Sequence, residues 1–420
     1  MRRREFIGLG VGGVAAASLG AVFWDDVFSS AASRPLRRGL RYGRLRAPDE
    51  HGFRLPEGFR SRIVARGKQP VPGTAYVWHI WSDGMATFPV DDGGHVLVSN
   101  SETLDGGASA IRFGPDAEVS DAYRILSGTT QNCSGGGTPW GTWLSCEEVG
   151  QGLVWECDPS GRRPAVPRPA LGTFKHEAAA VDRRGRRVYL TEDVVDGGLY
   201  RFTPARWPDL SQGLLEIARV RRGGQVEWID VPDPSAAREE TRRQVKGGTR
   251  FKRGEGIWLE QGTLFVATTA DHRVHAYDTR RERIRVAYDG LASRSAPLLR
   301  VDQMTGSPAG EVFVCEDIAT EEIDMGVIAP NRTVSRFLSA TGPQHRGSEL
   351  TGVTFDPSFT RMYVASQRAF PESDLEPGRG AIYEITGPFR RAVPGAGQRN
   401  RSSSRGRRRA APPRPSSAVT

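Results

Sequence analysis

Between residues 50 and 390 the apolar positions fall into short runs, with no sustained helical period. One pattern recurs: a turn with Gly, Asp or Arg, a run of massed or alternating apolar residues, then a polar and usually acidic end. The copies are 93-GGHVLVSNSE-102, 141-GTWLSCEE-148, 185-GRRVYLTED-193, 262-GTLFVATTAD-271, 310-GEVFVCED-317 and 361-RMYVASQR-368. Aligned on Asn100, Cys146, Glu192, Thr268, Glu316 and Ser366, they are spaced by 46, 46, 76, 48 and 50 residues. Four of these five intervals match the roughly 40–50 residues of one four-stranded blade. Weaker runs between the copies, at 111–126, 153–161, 199–204, 274–278 and 381–387, read as outer hairpins of the same units. The pattern predicts an all-β chain folded as a six-bladed β-propeller with loop insertions, the 76-residue interval holding an insertion at about 205–245. A β-sandwich array would lack so constant a period.

The 50 Gly and 28 Pro among 420 residues suit a turn-rich fold of this kind. The net charge of +9 belongs to the ends: residues 1–46 carry +6 and 390–420 carry +9, which leaves 47–389 at −6. The start, 1-MRRREFIGLGVGGVAAASLGAVFW-24, resembles a twin-arginine export signal. Arg3 and Arg4 form the pair, and 30-SAAS-33 is the expected cleavage region. Its apolar run is too weak for a stable membrane span, although a single anchor is the alternative. The domains expected are therefore a signal over 1–33, a propeller over 42–389 and a disordered Arg-rich tail over 390–420. The expected life is that of a monomer delivered by the twin-arginine machinery to the periplasm or beyond. The tail reads as a solvated extension and not as a specific nucleic-acid binder.

In a propeller, equivalent strand ends converge on the central channel. That would gather Glu102, Cys146, Glu147, Glu148, Glu192, Asp193, Glu316 and Asp317, joined by Glu177, Glu255, Asp302 and Glu349 from the preceding loops. Anions so close repel or take up protons unless counter-charge is supplied, and metal ions supply it most simply. Oxygen ligands select calcium or magnesium, while one thiolate among carboxylates suits iron or zinc. Cys133 and Cys157 read as disulfide-bonded or simply buried. In 172-GTFKHEAAAVD-182, either His176 or Glu177 could ligate, with His176 better suited to hydrogen-bonding a ligand. In 251-FKRGEGIWLE-260, Arg253 and Glu255 flank one Gly, the pairing that a phosphate oxyanion needs beside a metal.

The strings 132-NCSGGGTPWGTWLSCEE-148, 174-FKHEAAAVD-182, 190-LTEDVVDGGLYRFTP-204, 253-RGEGIW-258 and 363-YVASQR-368 resemble the PhoX-type alkaline phosphatases and their shorter bacterial relatives. The resemblance spans about 42–389. It implies a six-bladed propeller, twin-arginine export and a phosphomonoesterase centre of Fe3+ and Ca2+ acting on a small phosphoester. By motif it makes Cys146 the iron thiolate and Glu177, Glu255 and Asp317 carboxylate ligands. Glu147, Glu192 and Glu349 join them, Arg253 binds phosphate, and Asn132 contacts substrate. The chain is shorter than the long PhoX enzymes, and 251-FKRGEG-256 departs from their Arg-Pro-Glu form. Other readings are a calcium-dependent propeller lactonase or diesterase, and a non-catalytic propeller braced by metal. No Gly-x-Ser-x-Gly elbow offers a serine nucleophile.

The export reading has a direct test. Replacing Arg3 and Arg4 by Lys should hold the precursor in the cytoplasm, checked by fractionation, because the twin-arginine receptor distinguishes the two cations. Continued export would refute it.

Overall fold

In the computed structural model, the described residues are 37–38 (backbone only), 40–292, 296–318, 320–331, 333–371, 373 and 376–390. The expected signal and almost all of the tail lie outside them. Among the described residues there is no α-helix; three short 3-10 turns interrupt an all-β chain of six sheets. Each sheet is one blade, antiparallel throughout except where the two-residue strand Arg37–Arg38 pairs parallel with Thr333–Thr341 in blade 5. Blades 1 to 6 begin with the strands Ser82–Pro89, Asn132–Gly137, His176–Asp182, Gly254–Glu260, Val301–Gly306 and Leu350–Phe355. Each of these packs beside its counterpart in the next blade, and the last packs beside the first, so the six first strands surround a channel.

The six repeats recognised in the sequence are the second strands: His95–Ser101, Trp143–Glu147, Arg187–Glu192, Thr263–Thr268, Val312–Glu316 and Arg361–Ser366. They are buried on both faces because they lie between neighbouring blades, which is why they read as dense apolar runs. Six apolar clusters fill the six spaces between blades. Phe313 and Met362, for example, meet between blades 5 and 6, and Leu144 and Leu190 between blades 2 and 3. Each such buried side chain stabilises the packing by about 1.5–3 kcal/mol.

Two features differ from the sequence expectation. The region 205–245 is largely sheet: the hairpin Asp209–Val220 and Val226–Asp230 extends blade 3 to five strands. Only residues 231–245 of that region are loop, with one 3-10 turn at Thr241–Arg243. Blade 6 has no fourth strand of its own from the C-terminal half. Its outer strand is Arg60–Arg66, paired antiparallel with Ala381–Thr386, so distant parts of the sequence close the ring.

A bulge interrupts every first strand just after its opening residues. It turns the second residue of each, namely Asp83, Cys133, Glu177, Glu255, Asp302 and Thr351, into equivalent positions of the ring. In five of the six strands, all but that of blade 5 with Gln303, a small residue comes next, where neighbouring first strands nearly touch. A Cβ on Gly256 would sit 2.6 Å from the Asp302 carbonyl oxygen, and one on Gly352 would sit 2.5 Å from that of Asp83. No helix among the described residues is long and apolar enough to cross a membrane.

Candidate metal centre

Three tiers of side chains surround one mouth of the channel. The deepest holds Asp83, Cys133, Glu177, Glu255, Asp302 and Thr351. The second holds the residue immediately after each second strand: Glu102, Glu148, Asp193, Thr269, Asp317 and Gln367. In all six blades the backbone N–H of this residue donates to the carbonyl of the residue preceding the first strand, Trp81, Gln131, Lys175, Arg253, Arg300 or Glu349, at 2.9–3.2 Å. Those six form the rim. Four of them, Trp81, Gln131, Arg253 and Arg300, have φ between 43° and 55°. Side chains other than glycine's adopt this left-handed conformation at a cost, and it recurs here where residues must lean over a site.

Carboxylate and thiol atoms lie within 4.8 Å of one another in three linked groups: Asp83–Glu102–Cys133, Cys133–Glu148–Glu177 and Glu177–Glu255–Asp302. Both carboxylate oxygens of Glu177 and Asp302 Oδ1 are buried and have no hydrogen-bond partner, and Glu255 Oε1 beside them has only its ion pair with Arg253. An orphaned buried acceptor is costly, and three in one spot fit a cation better than any other arrangement. Burial, followed by the neighbouring acids, pushes the Glu177, Glu255 and Asp302 carboxyls well above the usual range. Asp83 rises to about 6 through burial, partly offset by amide hydrogen bonds from Gln303 and Gln367. The Cys133 thiol is pushed up by burial and then by Asp83 and Glu177.

Cations occupy the rim. Arg253 donates from Nε and Nη2 to both oxygens of Asp193 at 2.7 and 3.0 Å, and its guanidinium also reaches Glu255 at 3.0 Å and Asp317 at 3.5 Å. Burial opposes ionisation of Asp193, but these bonds and the nearby Lys175 outweigh it and hold its carboxyl at about 2. Lys175 spans Glu148 at 2.8 Å and Asp193 at 3.2 Å. Arg300 pairs with Asp317 at 2.6 Å, and Arg368 lies 3.6 Å from Glu349.

The structure therefore brings Glu177, Glu255, Asp317, Glu349 and Arg253 together, and takes six other candidates away. Cys146 lies inside the strand Trp143–Glu147, one position before the strand end, so its side chain faces the apolar space shared with Leu144, Val154 and Phe174. Burial raises its thiol pKa there. Glu147 turns away from the channel and accepts from the Thr130 and Leu153 N–H groups and Trp155 Nε1, each at 3.1 Å. Glu192 does the same in blade 3, accepting from Gly198 N–H, Tyr200 Oη and Arg242 Nη1 at 2.8–2.9 Å. Glu316 repeats the role in blade 5 with Leu299 and Asp324. In each acidic pair the first acid clamps the blade and the second faces the mouth. Asn132 spends its amide inside blade 2, accepting from Thr129 Oγ1 at 2.6 Å and donating to Ser145 Oγ at 2.9 Å. His176 is buried against Phe174, with Nε2 3.1 Å from the Gly172 carbonyl oxygen. All four cysteines are free, so Cys133 and Cys157 form no disulfide.

Sequence reasoning missed Asp83, Lys175, Arg300 and Arg368, and set Cys133 aside. The signal was present as a second, sparser repeat at the first-strand starts: 82-SDG-84, 132-NCS-134, 176-HEA-178, 254-GEG-256, 301-VDQ-303 and 350-LTG-352.

Residues 104–290 match the family model described as alkaline phosphatase PhoX. The chain resembles the PhoX family. Among solved structures, PhoX of Pseudomonas fluorescens, determined in complex with vanadate as a transition-state analogue, superposes with a TM-score of 0.69 at 18% identity. The likeness covers 84% of this chain and 98% of that PhoX chain, and it shows a common fold. A gluconolactonase of Xanthomonas campestris matches at 15% identity over 85% of this chain and 99% of its own, with a TM-score of only 0.43. That likeness is too loose to bear on this site. No curated protein matches the chain.

The electrostatics give a testable expectation. A carboxyl whose pKa is raised in the folded state binds its proton more tightly there than in the unfolded chain, where the value is about 4. Its contribution to stability is present below about 4 and is lost as pH rises through the folded value, which is about 6 for Asp83 and is raised well above the usual range for Glu177 and Glu255. Chelator-treated protein should therefore melt at falling temperature from pH 5 to 8 in calorimetry, and divalent cations should reverse the fall.

Proposed function

We propose that the protein is an exported, metal-dependent phosphohydrolase of the alkaline phosphatase type, acting on phosphomonoesters. The match to the PhoX family model supports the reaction class. The observation that carries the reading is the set of partnerless buried oxygens on Glu177 and Asp302, with Glu255 beside them, beneath a rim of cations. Acids of this density suit bound cations, and the rim above them suits an anion.

The metal-holding residues are Asp83, Glu102, Cys133, Glu148, Glu177, Glu255 and Asp302, with Asp317 and Glu349 bordering them. The thiol of Cys133 favours iron at the centre of the chain of groups, and the oxygen-only group Glu177–Glu255–Asp302 favours calcium. Such cations, when bound, would supply positive charge for the phosphoryl oxygens and a water acidic enough to attack at neutral pH. A bracing calcium or a lactonase calcium site has no use for the thiol.

The chain's own residues do the rest. Asp193 fixes the plane of the Arg253 guanidinium through Nε and Nη2, and Arg253 so held keeps Nη1 to donate to a phosphoryl oxygen. Lys175, on the neighbouring blade and sharing Asp193, adds a second donor to the same side of the mouth. Arg300 is anchored to Asp317 and completes the cationic arc. Charge arranged in advance in this way stabilises a transition state without reorganising during the reaction.

Two measurements test this reading. Arg253→Ala should lower kcat/KM for 4-nitrophenyl phosphate by roughly 10²–10³, the loss typical of one preorganised donor, with metal content retained and only partial rescue by Lys. Full activity in that variant would remove Arg253 from the site. Separately, Cys133→Ala should abolish iron retention and any thiolate-to-iron colour, whereas Cys146→Ala should keep both and lose only packing stability. The reverse pattern in elemental analysis and visible absorption would restore Cys146 as the ligand.

A further inference from the structure

The segment that delivers Arg253 to the mouth is basic, although residues 47–389 as a whole are acidic. It runs 238-REETRRQVKGGTRFKR-253, with seven basic residues and two acids. Its last stretch is pinned to the top of blade 3 through alternate N–H groups: Thr249 to the Ala218 carbonyl, Phe251 to Gly197 and Arg253 to Val194, at 2.8–2.9 Å. Phe251 is buried on one side of this stretch, while Arg250 and Lys252, which alternate with the pinned residues, are exposed.

Beside this stretch lies a cavity of about 290 Å3, walled by Arg242, Lys246, Arg250 and the Gly247–Gly248 turn. Its single acid, Asp196, is taken at 3.0 Å by Arg242, which also binds Glu192 and Glu240 at 2.9 Å. Arg242 is therefore structural. Among the described residues Lys246 and Arg250 have no carboxylate partner, so the wall carries uncompensated positive charge. Gly247 has φ 83°, a conformation that keeps the turn tight and free of side chain on the cavity wall. Arg253 lies three residues beyond Arg250, a span of at most about 10 Å. Asp196 is likewise three residues from Asp193, so both chain segments that wall the cavity continue within three residues to a residue of the mouth.

We propose that this cavity holds a second anionic group of the substrate. The preferred substrate is then a phosphomonoester whose leaving group carries a further phosphate or carboxylate. The inference rests on the phosphatase reading and deepens it: Arg253 grips the phosphoryl group being transferred, and Lys246 and Arg250 grip the far end of the leaving group. Contacts to a remote anion of this kind tune substrate choice and leave the bond-breaking step alone.

The test compares metal-loaded parent protein with Lys246→Ala/Arg250→Ala on three probes: glucose 6-phosphate, with no second anion, 3-phosphoglycerate, with a carboxylate, and glucose 1,6-bisphosphate, with a second phosphate. The parent should favour one or both probes that carry a second anionic group by about tenfold in kcat/KM, expressed in KM. The double variant should lose that preference and keep glucose 6-phosphate hydrolysis within about twofold. Which of those two probes gains identifies the second group. An equal preference in both proteins, or a parallel fall for all probes, overturns the proposal. If none of the three is hydrolysed, the phosphatase reading fails by itself. The cavity is then judged by calorimetric titration with glucose 1,6-bisphosphate: about tenfold weaker binding to the variant supports it, and equal affinity overturns it.

Discussion

The mouth of this propeller is governed by repulsion among its own acids. Asp83, Glu102, Glu148, Glu177, Asp193, Glu255, Asp302, Asp317 and Glu349 face a common space that Lys175, Arg253, Arg300 and Arg368 only partly neutralise. Neighbouring like charges in a medium less polar than water interact strongly enough to decide protonation states. The arrangement is consistent only if protons or cations fill the deficit. Everything else in the fold serves to hold these groups where the chain, left free, would let them part.

The propeller achieves this by repetition with local exceptions. Each blade contributes one deep, one middle and one rim residue through the same bulge and the same backbone hydrogen bond. Blades 2 to 5 place thiol and carboxylates in the deep tier, while blade 6 offers Thr351, and the amides of Gln303 and Gln367 brace Asp83 of blade 1. The ring is thus chemically one-sided: its candidate ion-holding groups run from blade 1 through blade 5, and blade 6 adds Thr351 to the deep tier and the amide of Gln367 to the middle one. The cationic rim tracks these groups at Lys175, Arg253 and Arg300.

The sequence showed the architecture more readily than the site. Second strands such as Val312–Glu316 are buried on both faces, so their apolar density survives in one dimension and discloses the six-fold period. First strands such as Asn132–Gly137, rich in Gly because neighbours press against them, carry no apolar signal, and the ligand-bearing residues sit there. The strand carrying Cys146 runs one residue further than its apolar run suggests, through Glu147, and one residue reverses the facing of a side chain. That single step exchanged Cys146 for Cys133 and made clamps of Glu147 and Glu192. The closing strand Arg60–Arg66 was unreadable for a different reason: its partner lies more than 300 residues away, and nothing local marks the pairing.

That closure also orders events in time. The strand Arg60–Arg66 is made before the strands of blades 1 to 5 and can find its place only against Ala381–Thr386, which is made after them. Blades 1 to 5 can form in sequence as they appear, but the circle around the acids stays open until Ala381–Thr386 has been made. Pairing across such a distance carries a large loop-closure cost and is intrinsically slow. A nascent or truncated chain would therefore hold its acids in an unclosed arc, with blades 6 and 1 not yet facing each other across the axis. The site matures as a whole, at the end, and any ion it takes up would act as a late clasp on a nearly finished ring.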